Sequence, residues 1–522
     1  MKRSISIPKY KRGGGRFMIT LNGENLTLNE YERVAFQREH IKIAPEAYEK
    51  MRASRKVVES NIREEKKIYG ITTGFGALSN VRINTRQALL LQKNLLLSHA
   101  AGVGSPLSPE IVRGMLLLRI NSLTKGYSGI RSNVVDRLVY FLNEDLVPYV
   151  PSQGSVGASG DLAPLAHLAL PLIGYSKLLY KGNWQDTEVI LKEKKISPIE
   201  LQGKEGLALI NGTQAMTSIL AGILIKFVNI FKTALLTSII SLEALKGTDT
   251  AFDEKIQAVR PYTGQIKVAE SLRKIIKGSE IRLSHKYDDP RIQDAYTLRA
   301  IPQVYGAVYD VFEFVKKQVE IEMNSATDNP LIFANVNECL SGGNFHGEPM
   351  ALAADMFAIA ISSMGNMIER RIDRLVNPLV SGLPPFLTGG DVGLNSGYML
   401  WQYTAASLAS ENKVLSHPAS VDSIPTSAYK EDHVSMGTIA ARKADIILEN
   451  IAKMVTIELM CGTQGLEFHR PLKSSKTVEN AVKKVRNIIP GLKNDRYCGD
   501  DFRRLLQAVE QGNFSTFVTI EF

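Results

Sequence analysis

The stretch SQGSVGASGDLAPLAH, residues 152–167, places a serine among small residues just before a run rich in leucine and alanine. In most proteins such a stretch would be a turn, with Ser159 or Asp161 capping the helix that follows. A glycine such as Gly160 would supply the unusual backbone angles of that turn. The alternative is that Ala158, Ser159 and Gly160 together carry chemistry.

Eight polar islands, this one included, interrupt a chain that is otherwise rich in apolar segments. Each mixes small or turn-forming residues with tyrosine, histidine, asparagine, glutamine, aspartate, arginine or glutamate, which are costly to bury without partners. One island alone would be a turn or a helix cap, but eight in one chain indicate a shared polar pocket. The islands are YGITTGFG (69–76), LSHAAGVG (97–104), GSVGASGDL (154–162), LALINGTQA (207–215), QDAYTLRAIPQ (293–303), SATDNPLIF (325–333), GGNFHGEP (342–349) and PTSAYKEDHVSMG (425–437).

Helical periodicity dominates the segments between the islands. Val304, Val308 and Val311 recur at spacings of four and three, as on one face of a helix. Ser108 followed by Pro109 is the usual start of another helix, with a cap and a proline in the first turn. Further helices are predicted over about 86–99, 349–377, 398–415 and 435–461.

The pattern of residues 17–28 predicts one of the few pairs of strands in the chain. Residues 17–28, FMITLNGENLTL, alternate apolar and polar side chains around Asn22-Gly23, which is a strong hairpin signal. Asn29 can then cap a first helix.

The composition fits a folded protein with a large core. The chain has 522 residues, of which 44% are hydrophobic and 22% are charged, unlike a disordered chain. The predicted fold class is mainly α, with a large central bundle of long helices and a smaller mixed N-terminal region. The expected division is a basic flexible tail (1–17), a mixed region with the Tyr69 loop and the Ala-Ser-Gly triad (18–200), and a central helical bundle with C-terminal helices (201–522).

Charge and cysteine content argue against several classes of partner. The formal charge is +10, but basic residues are interleaved with acids, which favours a solvated surface over a nucleic-acid site. Cys339, Cys461 and Cys498 are far apart, and neither they nor the histidines have metal-ligand spacing. The most apolar stretch, 206–245, is interrupted by polar residues and predicts a buried helix. We therefore expect a cytoplasmic enzyme without metal, nucleic-acid or membrane partners.

The densest basic cluster is the N-terminal stretch MKRSISIPKYKRGGGRF. It lacks the apolar segment of a signal peptide, and its GGGR is not followed by GK[ST] as in a phosphate-binding loop. A flexible tail is predicted. Met18 is a candidate for the biological start, because sequence typical of a folded protein begins there.

The islands also carry a resemblance to a known family. GSVGASGDLAPLAHLAL and the other seven islands, in the same order, are similar to motifs of the aromatic amino-acid ammonia-lyases, and in detail to those that act on histidine. The similarity runs from about residue 20 to the C-terminal region and weakens after Leu472. It implies the helical superfold of fumarase and aspartase, and a homotetramer whose active sites draw residues from neighbouring subunits.

The resemblance implies that Ala158, Ser159 and Gly160 form a prosthetic group, 4-methylidene-imidazol-5-one (MIO), from the backbone itself. The amide nitrogen of Gly160 attacks the carbonyl of Ala158, and Ser159 loses its hydroxyl, so two waters leave and an electrophilic methylidene carbon remains. The sequence has no lysine signature for pyridoxal phosphate that would supply such an electrophile. Asp161 would either assist the cyclisation or cap the following helix.

Other roles follow from the resemblance residue by residue. Tyr69 would take the β-proton of the substrate, which requires an environment that lowers its reference pKa of about 10 or favours the phenolate. Arg299 would bind the substrate carboxylate. Asn211 and Tyr296 would donate hydrogen bonds to the ring oxygen of MIO. The expected pocket residues are Gln293 and Phe345. The structural alternatives are a packed ring for Tyr69, an internal salt bridge for Arg299 and an ordinary core residue for Phe345.

The choice of substrate depends on two further residues. His99 and Glu431 match the lyases that act on histidine, whereas relatives acting on phenylalanine or tyrosine usually have glutamine in place of Glu431. A carboxylate can accept an imidazole N–H and favour imidazolium, while glutamine has no charge. Some tyrosine lyases share His99. Lys430, where the family ordinarily has glutamine, could pair with Glu431 or point to solvent.

We therefore expect elimination of ammonia from L-histidine to give trans-urocanate, the first step of histidine degradation. Three alternatives stay open: a lyase acting on tyrosine or phenylalanine, an aminomutase that returns ammonia to the β-carbon, and a non-catalytic helical assembly protein. The products and the released ammonia distinguish the first two. A protein mass without the two-water deficit would favour the third.

Overall fold

The structure is a computed structural model that describes residues 18–64, 66, 68, 70, 73, 85–287, 289 and 291–522. The described chain is mainly helical, which confirms the predicted fold class. The tail predicted for residues 1–17 and the candidate base Tyr69 lie outside the described residues.

The helices lie along the chain as follows: α1 (Leu28–Ala35), α2 (Pro45–Arg63), α3 (Thr85–His99), α4 (Pro109–Thr124), α5 (Ser132–Asn143), α6 (Leu162–Ala169), α7 (Thr187–Glu193), α8 (Glu205–Ile210), α9 (Gln214–Ala244), α10 (Glu254–Ala258), α11 (Thr263–Ile276), α12 (Glu280–Ser284), α13 (Tyr296–Arg299), α14 (Ile301–Met323), α15 (Glu348–Val376), α16 (Pro378–Ser381), α17 (Met399–Leu415), α18 (Gly437–Glu467), α19 (Lys476–Ile488) and α20 (Gly499–Glu510). Short 3₁₀ helices are Leu170–Ile173, Thr250–Phe252, Pro385–Leu387 and Ser515–Phe517.

The described strands are short and form small sheets. They are β1 (Met18–Leu21), β2 (His40–Ile43), β3 (Val103–Pro106), β4 (Val147–Pro148), β5 (Pro151–Gln153), β6 (Lys177–Tyr180), β7 (Asn183–Asp186), β8 (Leu331–Phe333) and β9 (Glu338–Leu340). β1 pairs with β2 in parallel, while β3 pairs with β5, β6 with both β4 and β7, and β8 with β9, all antiparallel.

Two compact units divide the chain, and each is assembled from separate segments. The first takes the described residues of Met1–Gly222 together with Lys317–Leu352 and Ala419–Ala441, and the second takes Ile223–Lys316, Ala353–Pro418 and Arg442–Phe522. All the described strands belong to the first unit. The predicted division near residue 200 stays a prediction.

The hairpin predicted around Asn22-Gly23 was wrong. β1 pairs in parallel with β2, which lies beyond α1 in the chain. The backbone after the turn is held by asparagine side chains instead of a returning strand: Gly23 N donates to Asn121 Oδ1 at 3.2 Å, and Leu26 N donates to Asn324 Oδ1 at 2.8 Å. These side chains satisfy backbone groups that a second strand would otherwise use.

Helix α1 begins earlier than predicted, because Thr27 and not Asn29 is its cap. Thr27 Oγ1 accepts a hydrogen bond from Glu30 N at 3.2 Å, and the Glu30 carboxylate accepts one from Thr27 N at 3.0 Å. This reciprocal pair satisfies two of the donors that a helix start leaves free.

The other predicted helices are confirmed with small differences at their ends. α3, α15 and α17 closely match the ranges 86–99, 349–377 and 398–415, and α18 extends beyond its predicted end. α4 begins at Pro109 after Ser108 as predicted, although the Ser108 side chain makes no capping hydrogen bond. From Ile111 to Thr124 every residue of α4 is buried, which places this helix in the core of the first unit.

A buried ion pair joins helices in the second unit. Arg371 on α15 pairs with Glu458 on α18, and both side chains are fully buried. Thr237 and Ser241 on α9 donate to the same carboxylate at 2.7 and 2.8 Å, and Tyr305 on α14 accepts from Arg371 Nη2 at 2.6 Å. With these hydrogen bonds the buried charges are well compensated, so loss of one partner would leave a costly unpaired charge.

Helices α9 and α15 are long and apolar enough to span a membrane by length and composition alone. However, 72% and 67% of their most apolar segments are buried inside the protein. Such burial is typical of core helices, as predicted for residues 206–245.

Glu243, at the end of α9, gives the stability of the second unit a pH dependence. Burial raises the pKa of its carboxyl from 4.5 to about 7, although a hydrogen bond from Ser474 Oγ opposes this effect. The folded state binds the proton of Glu243 more tightly than the unfolded chain does. The contribution of this proton to the free energy of unfolding is therefore present below about pH 4.5 and is lost as the pH rises through about 7.

We expect Glu243→Gln, which is neutral at every pH, to unfold at a higher temperature than the wild type at about pH 8.5 and at a similar temperature near pH 5. The difference in unfolding free energy should not exceed about 3 kcal/mol. Differential scanning calorimetry at both pH values measures it. The same pH response in both proteins would contradict the expectation.

Candidate functional site

The loop 155–161, between β5 and α6 in the first unit, has two positions that favour glycine. Gly157 and Gly160 have φ angles of +72° and +73°, in the left-handed region that favours glycine. A Cβ at Gly160 would lie 2.1 Å from Gly212 O, and one at Gly157 would lie 2.2 Å from Ser435 Oγ. Glycine is therefore favoured at both positions by the backbone angle, and at Gly160 the backbone of Gly212 also leaves no space for a side chain.

The same loop is tied to the segment that follows α8. Gly160 forms a parallel bridge with Gly212, and Asp161 N donates to Gly212 O at 2.7 Å. Next to this bridge, Asn211 Nδ2 donates to the carbonyl oxygen of Ser159 at 3.2 Å. The structure thus brings together Asn211 and Ser159, which come from two different islands.

Arg119, a fully buried residue of α4, holds the backbone at Asn211. Its Nη1 donates to Asn211 O at 2.7 Å and to Gln214 Oε1 at 3.0 Å. Gln214 Nε2 in turn donates to Thr327 Oγ1 at 2.8 Å. These contacts fix the position of Asn211 beside the loop.

Asp161 is fully buried and joins three segments of the first unit. Its carboxylate accepts hydrogen bonds from Ser155 Oγ at 2.8 Å, from Met216 N at 2.9 Å and from Thr438 Oγ1. Burial raises the pKa of this carboxyl, while the three donors act to lower it. Asp161 is the cap residue of α6, as one of the two predicted roles had it, but without a hydrogen bond from its side chain to the helix.

Glu431 presents its carboxylate to the serine of the triad. Ser159 Oγ donates to Glu431 Oε1 at 2.9 Å, and Thr426 Oγ1 donates to Oε2 at 2.6 Å. The backbones of Thr426 and Glu431 also exchange hydrogen bonds, of 2.9 and 3.3 Å. Lys430 is exposed, and no ion pair joins it to Glu431 in the described part of the chain. Of the two predicted possibilities for Lys430, the structure has the one directed to solvent.

His99, the last residue of α3, is half-buried. Its Nδ1 lies 3.0 Å from Ser98 Oγ. Burial lowers the pKa of the imidazole, and the charge of Glu431 acts in the opposite direction. The neutral imidazole is therefore favoured.

Phe345 is half-buried in the loop that precedes α15. The neighbouring His346 connects this loop to the island 425–437, since its ring stacks on that of His433 with centroids 5.6 Å apart. His346 Nε2 also lies 3.2 Å from His433 O.

Gln293, Tyr296 and Arg299 belong to the second unit. The guanidinium of Arg299 lies over the ring of Tyr296, 4.6 Å from its centroid, and Tyr296 is 74% exposed. Thr297 Oγ1 donates to Met367 O at 2.9 Å and so anchors the short helix α13 to α15. Arg299 Nε is buried without a hydrogen-bond partner among the described residues. Gln293 is exposed.

Several hydroxyl groups that support the loop were not predicted. Ser155, Thr426 and Thr438 each donate to one of the two carboxylates of the site. Ser155 and Thr426 lie inside islands, and Thr438 directly follows one. Their positions in or beside the islands were the only sequence signal for a role in the site. Serine and threonine are too common in turns for residue type to single these three out.

Comparisons with known proteins agree with these observations. Residues 26–487 match the family described as aromatic amino acid lyase. The histidine ammonia-lyase of Alkaliphilus oremlandii is 48% identical over 494 residues, which cover 95% of this chain and 97% of that protein. The crystal structure of histidine ammonia-lyase from Trypanosoma cruzi has 40% identity and a TM-score of 0.88, covering 96% of this chain and 95% of that one. Tyrosine aminomutase from Streptomyces globisporus has 36% identity and a TM-score of 0.91, covering 96% and 98%.

Replacing Asp161 tests how far the loop depends on its buried carboxylate. Asp161→Ala leaves three donors without an acceptor and should lower the free energy of unfolding by about 3 kcal/mol or more. Asp186→Ala is a matched control, because Asp186 is also a cap residue without a capping side-chain bond but is exposed. Its effect should stay within about 0.5 kcal/mol. Urea denaturation measures both, and equal losses would be evidence against the expected role.

Proposed function

The chain belongs to the aromatic amino acid lyase family, and we propose that it is a histidine ammonia-lyase that converts L-histidine to trans-urocanate and ammonia. The observation that carries the proposal is the carboxylate of Glu431, 2.9 Å from the hydroxyl of Ser159. It puts a group suited to an imidazole next to the residue from which the family's electrophile forms.

We propose MIO, formed from Ala158, Ser159 and Gly160, as the resident prosthetic group. The residues present fit it: the Ser159 carbonyl oxygen, which the ring would keep, already accepts a hydrogen bond from Asn211. The backbone at Gly160 is turned and crowded, as a closing five-membered ring requires. When formed, the group supplies an electrophilic carbon that standard side chains lack.

Glu431 would bind the imidazole of the substrate. Thr426 fixes one carboxylate oxygen, and loss of the Ser159 hydroxyl during MIO formation would leave the other free to accept an imidazole N–H. A charged acceptor forms a stronger hydrogen bond than an amide and favours imidazolium. Neither phenylalanine nor tyrosine carries such a group.

The remaining roles are proposed from residue chemistry. Arg299, whose Nε has no partner among the described residues, suits the substrate carboxylate, and its stacking on Tyr296 would orient the guanidinium. His99, favoured as neutral imidazole, would contact the substrate. Tyr69 is the proposed base. Gln293 and Phe345 are the proposed pocket residues.

We also propose a homotetramer with active sites shared between subunits, located in the cytoplasm. Support for association comes from α17 and from the part of α15 that belongs to the second unit, which expose Met356, Ile359, Leu400 and Tyr403. Exposed apolar side chains grouped on helices are typical of surfaces that contact partners.

A second candidate is an aminomutase, which the similarity to tyrosine aminomutase favours. An aminomutase would return ammonia to the β-carbon and give a β-amino acid. Release of ammonia in equal amount to the unsaturated acid separates the two activities.

The first test incubates the purified protein with L-histidine, L-tyrosine or L-phenylalanine and follows ultraviolet absorbance and ammonia. We expect urocanate and ammonia from L-histidine, and no product from any substrate with Ser159→Ala. Coumarate or cinnamate would overturn the proposed substrate. A β-amino acid without free ammonia would favour the aminomutase.

The role of Glu431 predicts a specific kinetic loss. Glu431→Gln keeps the size of the side chain but removes its charge, and should lower kcat/KM for histidine roughly 10- to 100-fold. Asp432→Asn makes the same change at the next, exposed position and should retain wild-type kcat/KM. Equal values for Glu431→Gln and the wild type would argue against imidazole recognition by the carboxylate.

A further inference from the structure

The hydrogen bond between Ser159 and Glu431 involves a hydroxyl that the proposed function requires the protein to lose. Ser159 Oγ donates to Glu431 Oε1 at 2.9 Å, and Glu431 is itself held by Thr426 through one side-chain and two backbone hydrogen bonds. Substrate binding alone does not account for this contact, since the hydroxyl has left before substrate binds.

We propose that Glu431 is a positioning residue for the formation of the prosthetic group, holding the Ser159 hydroxyl in the rotamer from which it is eliminated. The inference rests on the proposed function, because it presumes that the triad becomes MIO. Glu431 then acts twice, first on the precursor chain and afterwards on the substrate.

The step balances without an oxidant or reductant. In the cyclisation, a bond forms between Gly160 N and the carbonyl carbon of Ala158, and the Ala158 oxygen leaves as water with the amide protons of Gly160 and Ser159. In the elimination, the Cα–H and Cβ–Oγ bonds of Ser159 break and a Cα=Cβ double bond forms. The electron pair of the C–H bond becomes the π bond, and the hydroxyl leaves with its electron pair and the Cα proton as a second water.

A fixed hydroxyl rotamer matters for the elimination. The Cβ–Oγ bond breaks readily only when it is perpendicular to the plane of the atoms bonded around Cα, because it then overlaps with the forming π bond. The side chain of a free serine samples three staggered positions. A hydrogen bond to an anchored acceptor selects one of them. Thr426 provides the anchor, because it fixes the second oxygen of the same carboxylate.

Positioning and proton transfer make different demands on residue 431. A glutamine has the same length and keeps an acceptor oxygen, so it can hold the hydroxyl although it cannot relay a proton. A leucine of similar size can do neither. Comparison of the two variants therefore separates a hydrogen-bonding role from an ionic one.

The experiment follows the intact mass of the full chain with time after synthesis, in the wild type, Glu431→Gln, Glu431→Leu and Lys430→Leu. Lys430 is the matched control, adjacent but exposed and without a contact to Ser159. We expect the two-water deficit at wild-type rate in Glu431→Gln and Lys430→Leu. Glu431→Leu should lose the second water at least roughly fivefold more slowly, and peptide fragmentation should locate the retained hydroxyl on Ser159.

Thr426→Val provides a milder test should Glu431→Leu fail to fold, which circular dichroism would reveal. It removes only the side-chain anchor of the carboxylate and should also slow the loss of the second water. Maturation of both folded variants at wild-type rate would overturn the inference, as would an equal block in Glu431→Gln and Glu431→Leu. A wild type without any water deficit would instead contradict the proposed function itself.

Discussion

The close approach of Gly160 to Gly212 is the constraint on which the rest of the site depends. The two backbone segments lie so near each other that a Cβ at Gly160 would lie 2.1 Å from Gly212 O. This approach brings the amide of Asn211 to the carbonyl of Ser159. It is maintained from the core side by Arg119 of the buried helix α4, which holds the carbonyl of Asn211.

Two carboxylates flank the triad in environments that suit different tasks. Asp161 is fully buried, has three donors and belongs to the permanent framework of the loop. Glu431 is only half-buried, and one of its two donors is the hydroxyl that is proposed to leave. Two acids beside the same triad can thus suit a structural and a chemical purpose, because burial and hydrogen bonding differ between them.

Sequence periodicity predicted the long helices well, because their apolar faces repeat locally and need no knowledge of distant partners. It failed at the N-terminus for the opposite reason. The backbone after β1 is satisfied by Asn121 and Asn324, which no local pattern connects to Gly23. The cap of α1 could have been predicted from the sequence, since threonine followed three residues later by glutamate is a recognisable capping pair, here Thr27 and Glu30.

In the candidate site, too, some residues could be predicted from the sequence and others could not. The islands supplied Ser159, Asn211 and Glu431, whose mutual contacts the structure contains, while their chemical roles stay proposals. The supporting hydroxyls of Ser155, Thr426 and Thr438 could not be selected from sequence. These hydroxyls matter because they donate hydrogen bonds to the carboxylates of the site, and residue type alone does not reveal those hydrogen bonds.

The bridge between Gly160 and Gly212 also bears on attempts to move this chemistry into other scaffolds. A grafted loop of residues 154–162 would carry the Ala-Ser-Gly triad. It would lack Gly212, the amide of Asn211 and the hydroxyl of Thr438, which donates to Asp161. The smallest transplantable part therefore comprises three separate chain segments, which a host protein would have to supply at fixed spacing. The proposed self-modification would then depend on all three segments in the folded protein, and a short peptide motif would not be expected to confer it.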